Sequence, residues 1–176
     1  MSDITQVISL QNDGTISVEL KNSDWDTIAT IIPRTMIAQY IKALDLASWK
    51  HRDQKDKAGK PYFGHIARVS NACKTPQAKI VALLHDIIED TDVTPEQMEE
   101  LGFPEYIIKA VLCLTHKEGE SYEDYVKRAA KNPIAREVKI ADLEDNMDVS
   151  RLEKVSEKDL VRMDKYLRAW KYLKGL

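Results

Sequence analysis

The chain has 176 residues, of which 43% are hydrophobic and 31% are charged, and its formal net charge is −3. This length and apolar fraction fit one main domain with a substantial core, and the slightly negative charge provides no basic field for binding nucleic acid. No apolar run reaches membrane-spanning length and no secretory signal opens the sequence. We therefore expect a cytoplasmic protein with no membrane partner, whose two isolated cysteines, Cys73 and Cys113, are reduced.

The first 34 residues differ in pattern from the rest. Residues 7–20 alternate between apolar and polar side chains, and Asp13-Gly14 in their middle is a hairpin turn signal. We therefore predict a small β-hairpin here. A short helix is predicted to follow from Ser23 to Ile32.

The remainder is predicted to be all-α. We place an N-terminal extension at residues 1–34 and a helical domain at residues 35–176. Thr75-Pro76 has the pattern of a helix N-cap followed by proline at the first helical position. Such starts recur along the domain, and glycine is sparse.

A histidine follows a turn near the start of this domain. Gly59 and Pro61 mark the turn, and a helix is predicted to begin at Tyr62. His65 lies in its first turn. A lone histidine in this setting is more often structural than functional. His65 therefore becomes a candidate functional residue only in combination with the two segments described next.

The segment Lys79–Thr91 is predicted to be one amphipathic helix. Its apolar face consists of Ile80, Leu83, Leu84, Ile87 and Ile88. On the other face His85, Asp86 and Glu89 fall within an arc of roughly 100°. An imidazole and two carboxylates are suitable ligands for a divalent metal. The alternative is an ordinary surface helix with a solvated polar face.

A second helical segment, residues 134–147, carries polar groups where its buried face should be. Glu137 and Glu144 mark the solvent side, and Asp142 and Asn146 lie opposite them among apolar residues. An unpaired buried carboxylate costs on the order of 5 kcal/mol, so Asp142 needs a cation. That cation is either a metal or a buried lysine or arginine, and Lys139 shares the same stripe.

His65, His85-Asp86 and Asp142 together form the H…HD…D pattern, and the chain resembles the HD-domain metal-dependent phosphohydrolases. Within that superfamily it is similar to the RelA/SpoT-type alarmone hydrolases, especially their small stand-alone forms. The resemblance covers roughly residues 35 to 174. The stretches that carry it are 57–65, 82–91, 119–125 and 139–146.

The resemblance implies an HD-domain helical bundle that removes the 3′-pyrophosphate from guanosine tetra- or pentaphosphate, (p)ppGpp, or a related nucleotide. It implies one divalent ion, and the mixed histidine and aspartate ligands suit Mn²⁺. The expected ligands are His65, His85, Asp86 and Asp142. Glu89 and Asp90 take the catalytic role of the family's Glu-Asp pair in orienting water. The expected substrate contacts are Lys57, Tyr62, Lys139, Asn146 and Arg151.

Two departures from the family pattern affect base recognition. Asp56 stands where many alarmone hydrolases have an arginine near the guanine base, and Leu143 replaces a frequent arginine after Asp142. Two alternatives therefore stay open: a broader nucleotide phosphohydrolase, and a non-catalytic nucleotide-sensing module. The Glu89-Asp90 pair speaks against a sensor. Nothing in the sequence specifies an oligomeric state.

Overall fold

The computed structural model divides the chain into two compact units, residues 1–42 and 43–176. It describes residues 5–10, 16–21, 27–32, 34–151 and 154–175, with side chains described from residue 34 onward except that of Arg151. The division falls within the first helix, α1 (Arg34–Lys50).

The first unit contains a three-stranded antiparallel sheet in the order β1-β2-β3. The strands are β1 (Thr5–Leu10), β2 (Ile16–Lys21) and β3 (Thr27–Ile32). β1 and β2 pair in the antiparallel way that the predicted hairpin requires, and its predicted turn at Asp13-Gly14 lies outside the described residues. The helix predicted from Ser23 to Ile32 is wrong for residues 27–32, which pair with β2 as a strand, and residues 23–26 lie outside the described part. The physical reason is that five of these six residues are β-branched, which favours an extended backbone.

The second unit is helical, which confirms the all-α fold class. After α1 come α2 (Phe63–Ala72), α3 (Pro76–Leu84), α4 (Ile87–Asp90), α5 (Pro95–Glu100), α6 (Glu105–Leu114), α7 (Tyr122–Ala130), α8 (Pro133–Met147), a 3₁₀ turn (Val149–Arg151) and α9 (Glu157–Lys174). In the described part of the chain, no helix is both long enough and apolar enough to cross a membrane.

The start of α3 is held against α8 by hydrogen bonds that the sequence sets up. Thr75 caps α3 by accepting a hydrogen bond from the amide of Ala78. Glu137 of α8 accepts from the amides of Lys74 (2.5 Å) and Thr75 (2.9 Å), and from the Thr75 hydroxyl (2.8 Å). These bonds fix the register between the two helices.

The helix predicted over Lys79–Thr91 is interrupted at its centre. α3 ends at Leu84 and α4 begins at Ile87, with Asp86 at φ −103° and ψ 4° between them. In a continuous helix the side chains of His85 and Asp86 would diverge by about 100°. At the break the two side chains approach each other, with Nε2 of His85 2.9 Å from Oδ2 of Asp86.

The core of the unit lies where α2, α3 and α8 pack together, with α6 and α7 alongside. Its largest fully buried apolar side chains include Ile66, Ile80, Leu83, Leu84, Ile87, Met98, Ile107, Leu143 and Leu173. Polar side chains are buried among them, and these form the candidate site.

Candidate active site

Three buried side chains from separate segments converge at the centre of the helical unit. His65 comes from α2, His85 follows α3, and Asp142 comes from α8; each is at most 6% exposed. One ligand atom from each lies within 4.8 Å of the other two. Nε2 of His65 is 3.3 Å from Oδ1 of Asp142, and Nε2 of His85 is 3.8 Å from the same oxygen. Two imidazoles and a carboxylate at this spacing can hold a divalent metal ion.

His85 is oriented as a metal ligand requires. Its Nδ1 donates to the carbonyl of Ala82 at 2.7 Å, which leaves Nε2 as the ring nitrogen that faces the site. Nε2 is 2.9 Å from Oδ2 of Asp86, but in a direction that gives no hydrogen bond to any described residue. A buried ring nitrogen in this state fits a metal.

His65 is held by an acid that the sequence analysis missed. Its Nδ1 is 2.7 Å from Oδ2 of Asp145, and Arg68 donates to the same carboxylate at 2.6 and 3.2 Å. Burial alone would lower the pKa of His65, but hydrogen bonds to Asp142 and Asp145 outweigh it and raise the pKa to about 9. Carboxylates in this position commonly orient metal-binding histidines. The sequence signal that could have identified Asp145 was its position three residues after Asp142 on the same helix, where the two side chains are neighbours.

Asp142 is surrounded by donors. Lys139, 8% exposed, donates to Oδ2 at 2.8 Å, and the Asn146 amide donates to Oδ1 at 2.5 Å. Burial would raise the pKa of Asp142, but the charge of Lys139 and the hydrogen bond from His65 hold it well below its ordinary value. The salt bridge that the sequence left as an alternative is therefore present beside the triad. Because Lys139 already compensates the buried charge of Asp142, the two histidines are what indicate a metal here.

Asp86 lies next to this triad but is not part of the close three-atom group. Its Oδ2 accepts a hydrogen bond from the Tyr62 hydroxyl at 2.5 Å. Both side chains line the same cavity.

The triad opens into a cavity of about 610 Å³. Its lining residues are Lys55, Asp56, Lys57, Ala58, Tyr62, His65, Asp86, Glu89, Asp90, His116, Tyr122, Tyr125, Lys139, Asp142, Asn146, Asp148, Arg162 and Tyr166. All predicted site residues except His85 and Arg151 are among them. His85 lies directly behind the lining, next to Asp86 and Asp142. The side chain of Arg151 lies outside the described residues.

The predicted catalytic acids both face the cavity. Oε2 of Glu89 accepts a hydrogen bond from the amide of His116 at 2.9 Å. The pKa of Asp90 is raised by burial and by the negative charges of Asp86 and Glu89. Such an acid can exchange a proton closer to neutral pH than an ordinary aspartate.

Cations also line the cavity. Arg162 donates to Asp159 at 2.7 Å, while its Nε is buried without a hydrogen-bond partner among the described residues. Burial lowers the pKa of Lys57, and the nearby positive charge of Arg162 lowers it further. An unpaired guanidinium donor and a disfavoured ammonium charge indicate a place for an anion. Arg162 could not be predicted from the sequence, because only the packing of α9 brings it to the cavity.

Asp56 has a local role in the loop after α1. Its Oδ1 accepts hydrogen bonds from the amides of Ala58 and Lys60, each at 2.9 Å. The carboxylate therefore shapes the loop that presents Lys57 to the cavity.

Comparison with known proteins identifies relatives that are named guanosine-3′,5′-bis(diphosphate) 3′-pyrophosphohydrolases, and three of them are described below. The chain is 34% identical over 122 residues to the guanosine-3′,5′-bis(diphosphate) 3′-pyrophosphohydrolase MESH1 of Drosophila melanogaster, covering 62% of this chain and 68% of the fly protein. Identity to the mouse (Mus musculus) MESH1 is 36% over 119 residues, covering 60% and 65%. Identity to the Aquifex aeolicus enzyme is 31% over 118 residues, which cover 60% of this chain and 17% of the longer Aquifex protein.

A solved structure gives the same relationship at the level of fold. It is described as a metazoan ortholog of SpoT that hydrolyses ppGpp, and it superposes with a TM-score of 0.65 at 26% sequence identity. The match covers 78% of this chain and 86% of that one. No protein-family model matches the sequence.

Proposed function

The chain belongs to the family of guanosine-3′,5′-bis(diphosphate) 3′-pyrophosphohydrolases, and on that premise we propose that it is a Mn²⁺-dependent hydrolase that removes the 3′-pyrophosphate from (p)ppGpp. The observation that carries the proposal is the convergence of His65, His85 and Asp142 at a cavity that also contains Glu89 and Asp90. A purely structural cluster would not need two further acids facing the cavity.

We propose His65, His85, Asp86 and Asp142 as the residues that hold the metal. The unpaired Nε2 of His85 supports this, and the mixed nitrogen and oxygen donors favour Mn²⁺ over a closed zinc site. When bound, a divalent ion supplies a Lewis acid that polarises a phosphoryl oxygen and makes water easier to deprotonate.

Glu89 and Asp90 are proposed to position the attacking water and to accept its proton. The His116 amide fixes one oxygen of Glu89, so that carboxylate does not need to be ordered during the reaction. Asp90, whose pKa is raised, is suited to hold a proton between steps.

The cations support a substrate with phosphates at two positions. Lys139 lies beside Asp142, while Lys57 and Arg162 form a separate cationic group in the same cavity. A guanosine 3′,5′-bis(diphosphate) carries one diphosphate on each side of its ribose. We propose that the 3′ group lies at the triad and the 5′ group at Lys57 and Arg162, with Tyr62 and Asn146 beside the nucleoside. Arg151 stays a predicted substrate contact.

A cytoplasmic location belongs to the same proposal. Both cysteines are free thiols, as is usual for proteins of a reducing compartment.

The test is turnover of a panel of nucleotide polyphosphates by the purified protein with and without Mn²⁺. We expect release of pyrophosphate from ppGpp that depends on Mn²⁺ and is abolished by Asp142→Asn. Glu144→Gln is the matched control, because Glu144 is an exposed acid on the same helix. Preferred turnover of other phosphorylated nucleosides would favour the broader phosphohydrolase. Nucleotide binding without turnover of any substrate would favour the sensing module.

A further inference from the structure

His51, at the end of α1, is a fully buried histidine that the reaction described above does not use. It is 0% exposed, and its Nδ1 lies 2.6 Å from Oε1 of Gln54. Its Nε2 is buried and has no hydrogen-bond partner in the described part of the chain. A buried imidazole whose ring nitrogen makes no hydrogen bond destabilises the fold relative to an apolar side chain at the same position.

The orientation of the Gln54 amide determines which nitrogen of His51 carries the proton. Its Nε2 lies 2.8 Å from the carbonyl of Asp90, and only the amide nitrogen can donate to a carbonyl. Oε1 must therefore face His51, so the proton of the imidazole lies on Nδ1. The chain of hydrogen bonds runs in one direction: His51 donates to Gln54, and Gln54 donates to Asp90.

The main chain of Gln54 extends the connection to a second part of the site. Its carbonyl accepts a hydrogen bond from the amide of Tyr62 at 2.9 Å. Tyr62 in turn donates through its hydroxyl to Asp86. Gln54 thus connects the segment that bears Tyr62 to the one that bears Asp90.

Asp90 needs such support. It ends α4, a single helical turn of four residues, and the last carbonyls of a helix have no partner within it. One turn is also too short to be stable by its own hydrogen bonds. The Gln54 amide satisfies the terminal carbonyl and fixes the backbone from which the Asp90 carboxylate projects.

We propose that His51 and Gln54 are positioning residues for Asp90: His51 orients the Gln54 amide, and that amide holds the end of α4 over the cavity. The proposal rests on the proposed function only for its kinetic consequence. The hydrogen-bond chain itself can be tested without turnover.

The kinetic test uses Gln54→Met and His51→Leu, which keep approximate volume but remove the hydrogen bonds. We expect kcat for ppGpp to fall by about 10- to 100-fold, the scale expected when a reacting group is misplaced. KM and Mn²⁺ content should stay within about twofold of wild type. His51→Asn, whose amide can replace the Nδ1 donor, should recover most of the lost kcat.

A double variant separates positioning from general damage. If Gln54 acts through Asp90, adding Gln54→Met to Asp90→Asn should reduce kcat by less than about threefold further, because the group being positioned is already lost. Fully multiplied losses would overturn the proposal. Ser70→Ala is the matched control: it removes a buried hydrogen bond to the Lys79 carbonyl, and we expect lower stability with unchanged kcat.

Native-state hydrogen exchange provides the readout that does not depend on activity. In Gln54→Met the Asp90 amide, which donates to the Asp86 carbonyl, should exchange at least about tenfold faster, while amides of α6 stay unchanged. Unchanged exchange at Asp90, or a wild-type kcat in both Gln54→Met and His51→Leu, would overturn the proposal. If wild type hydrolyses no nucleotide but the exchange effect is found, the function is wrong and the positioning contact stands. Where Gln54→Met does not fold, Gln54→Glu gives the same exchange comparison, because a glutamate carboxylate cannot donate to the Asp90 carbonyl.

Discussion

At the scale of single residues, Glu89 and Asp90 separate binding from chemistry. Both line the cavity, yet neither belongs to the close metal-binding group. We expect Glu89→Gln and Asp90→Asn to keep the fold and the metal while turnover falls by about 10²-fold or more, as for lost proton-transfer groups. Steady-state kinetics with elemental analysis of the same samples checks this. Near wild-type rates in both variants would remove them from the mechanism.

Asp145 tests whether the orientation of His65 matters for metal affinity. Asp145→Asn weakens the charged acceptor of the His65 ring, and changes of this kind typically cost about 10- to 100-fold in metal affinity. We expect that loss in a Mn²⁺ titration, with a correspondingly higher Mn²⁺ requirement for turnover. Arg68→Gln should have a smaller effect of the same sign. Equal Mn²⁺ affinity in wild type and Asp145→Asn would show that His65 is held by its packing alone.

Asp56 tests base recognition, where this chain departs from the family pattern. We expect weaker guanine discrimination than in relatives with arginine there, because a carboxylate offers no cationic surface for a purine. Asp56→Arg should raise the ratio of kcat/KM for matched guanosine and adenosine substrates. Asp56→Asn is the control, since it removes the charge while keeping an acceptor for the amides of Ala58 and Lys60. An unchanged ratio in Asp56→Arg would place base recognition elsewhere.

The site residues that could be predicted from sequence share one property: the pattern of apolar and polar side chains within a few helical turns identifies each of them. Asp142 was detectable because a carboxylate on an apolar helix face contradicts the periodicity around it. Asp145 could have been found in the same way, since it lies four residues after Ala141 and seven after Val138 on an apolar flank of α8. Arg162 could not, because only the approach of α9 to the cavity gives it a role.

At the scale of elements, the segment between α6 and α7 is held by an ion pair. Arg128 donates to both oxygens of Glu120, at 2.8 and 2.6 Å, and to the carbonyls of Leu112 and Thr115. The hydrogen bond from Arg128 lowers the pKa of Glu120 from 4.5 to about 2. The stabilisation is therefore fully present above about pH 4.5 and is lost as the pH falls towards 2.

We expect Glu120→Ala to lower the free energy of unfolding at pH 7 by about 1 to 3 kcal/mol, as for hydrogen bonds between charged groups. Urea unfolding at pH 7 and at pH 3 checks this. Below about pH 4.5 the unfolded chain takes up a proton at Glu120, while the folded carboxylate stays ionised down to about pH 2. The difference between wild type and variant should therefore shrink at the lower pH. A constant difference across that range would show that the pair contributes through packing instead.

Helix starts were the part of the fold that sequence predicted best. Thr75 caps α3 as expected, because capping depends on residues within one turn. The same kind of local start is found at α5, which Thr94 caps, and at α9, where Ser156 and Asp159 form a capping box. The break at Asp86 was not predicted, because the apolar periodicity continues through it from Ile80 to Ile88. On α9, Leu160 is 58% exposed although it lies three residues before Met163 and seven before Leu167, at helical spacing. Such periodicity marks an apolar stripe without showing what covers it.

At the scale of the whole molecule, the candidate ligands join three parts of the helical unit. His65, His85 and Asp142 come from α2, the end of α3 and α8, the same helices that form the centre of the core. A metal held by them would cross-link the core across residues far apart in sequence. Metal binding and folding should therefore be coupled, since no such ligand set exists in the unfolded chain.

This coupling predicts a thermal shift on addition of Mn²⁺. At a free concentration about 100 times Kd, binding to the native state alone contributes about 2.7 kcal/mol, which corresponds to roughly 5 to 10 °C in Tm for a chain of this size. We expect that rise in metal-stripped wild type, measured by calorimetry, and its reversal by a chelator. Asp142→Asn, compared with its own metal-free baseline, should lose most of the shift, whereas Glu144→Gln should keep it. A shift of equal size in Asp142→Asn would mean that the ion binds outside the triad.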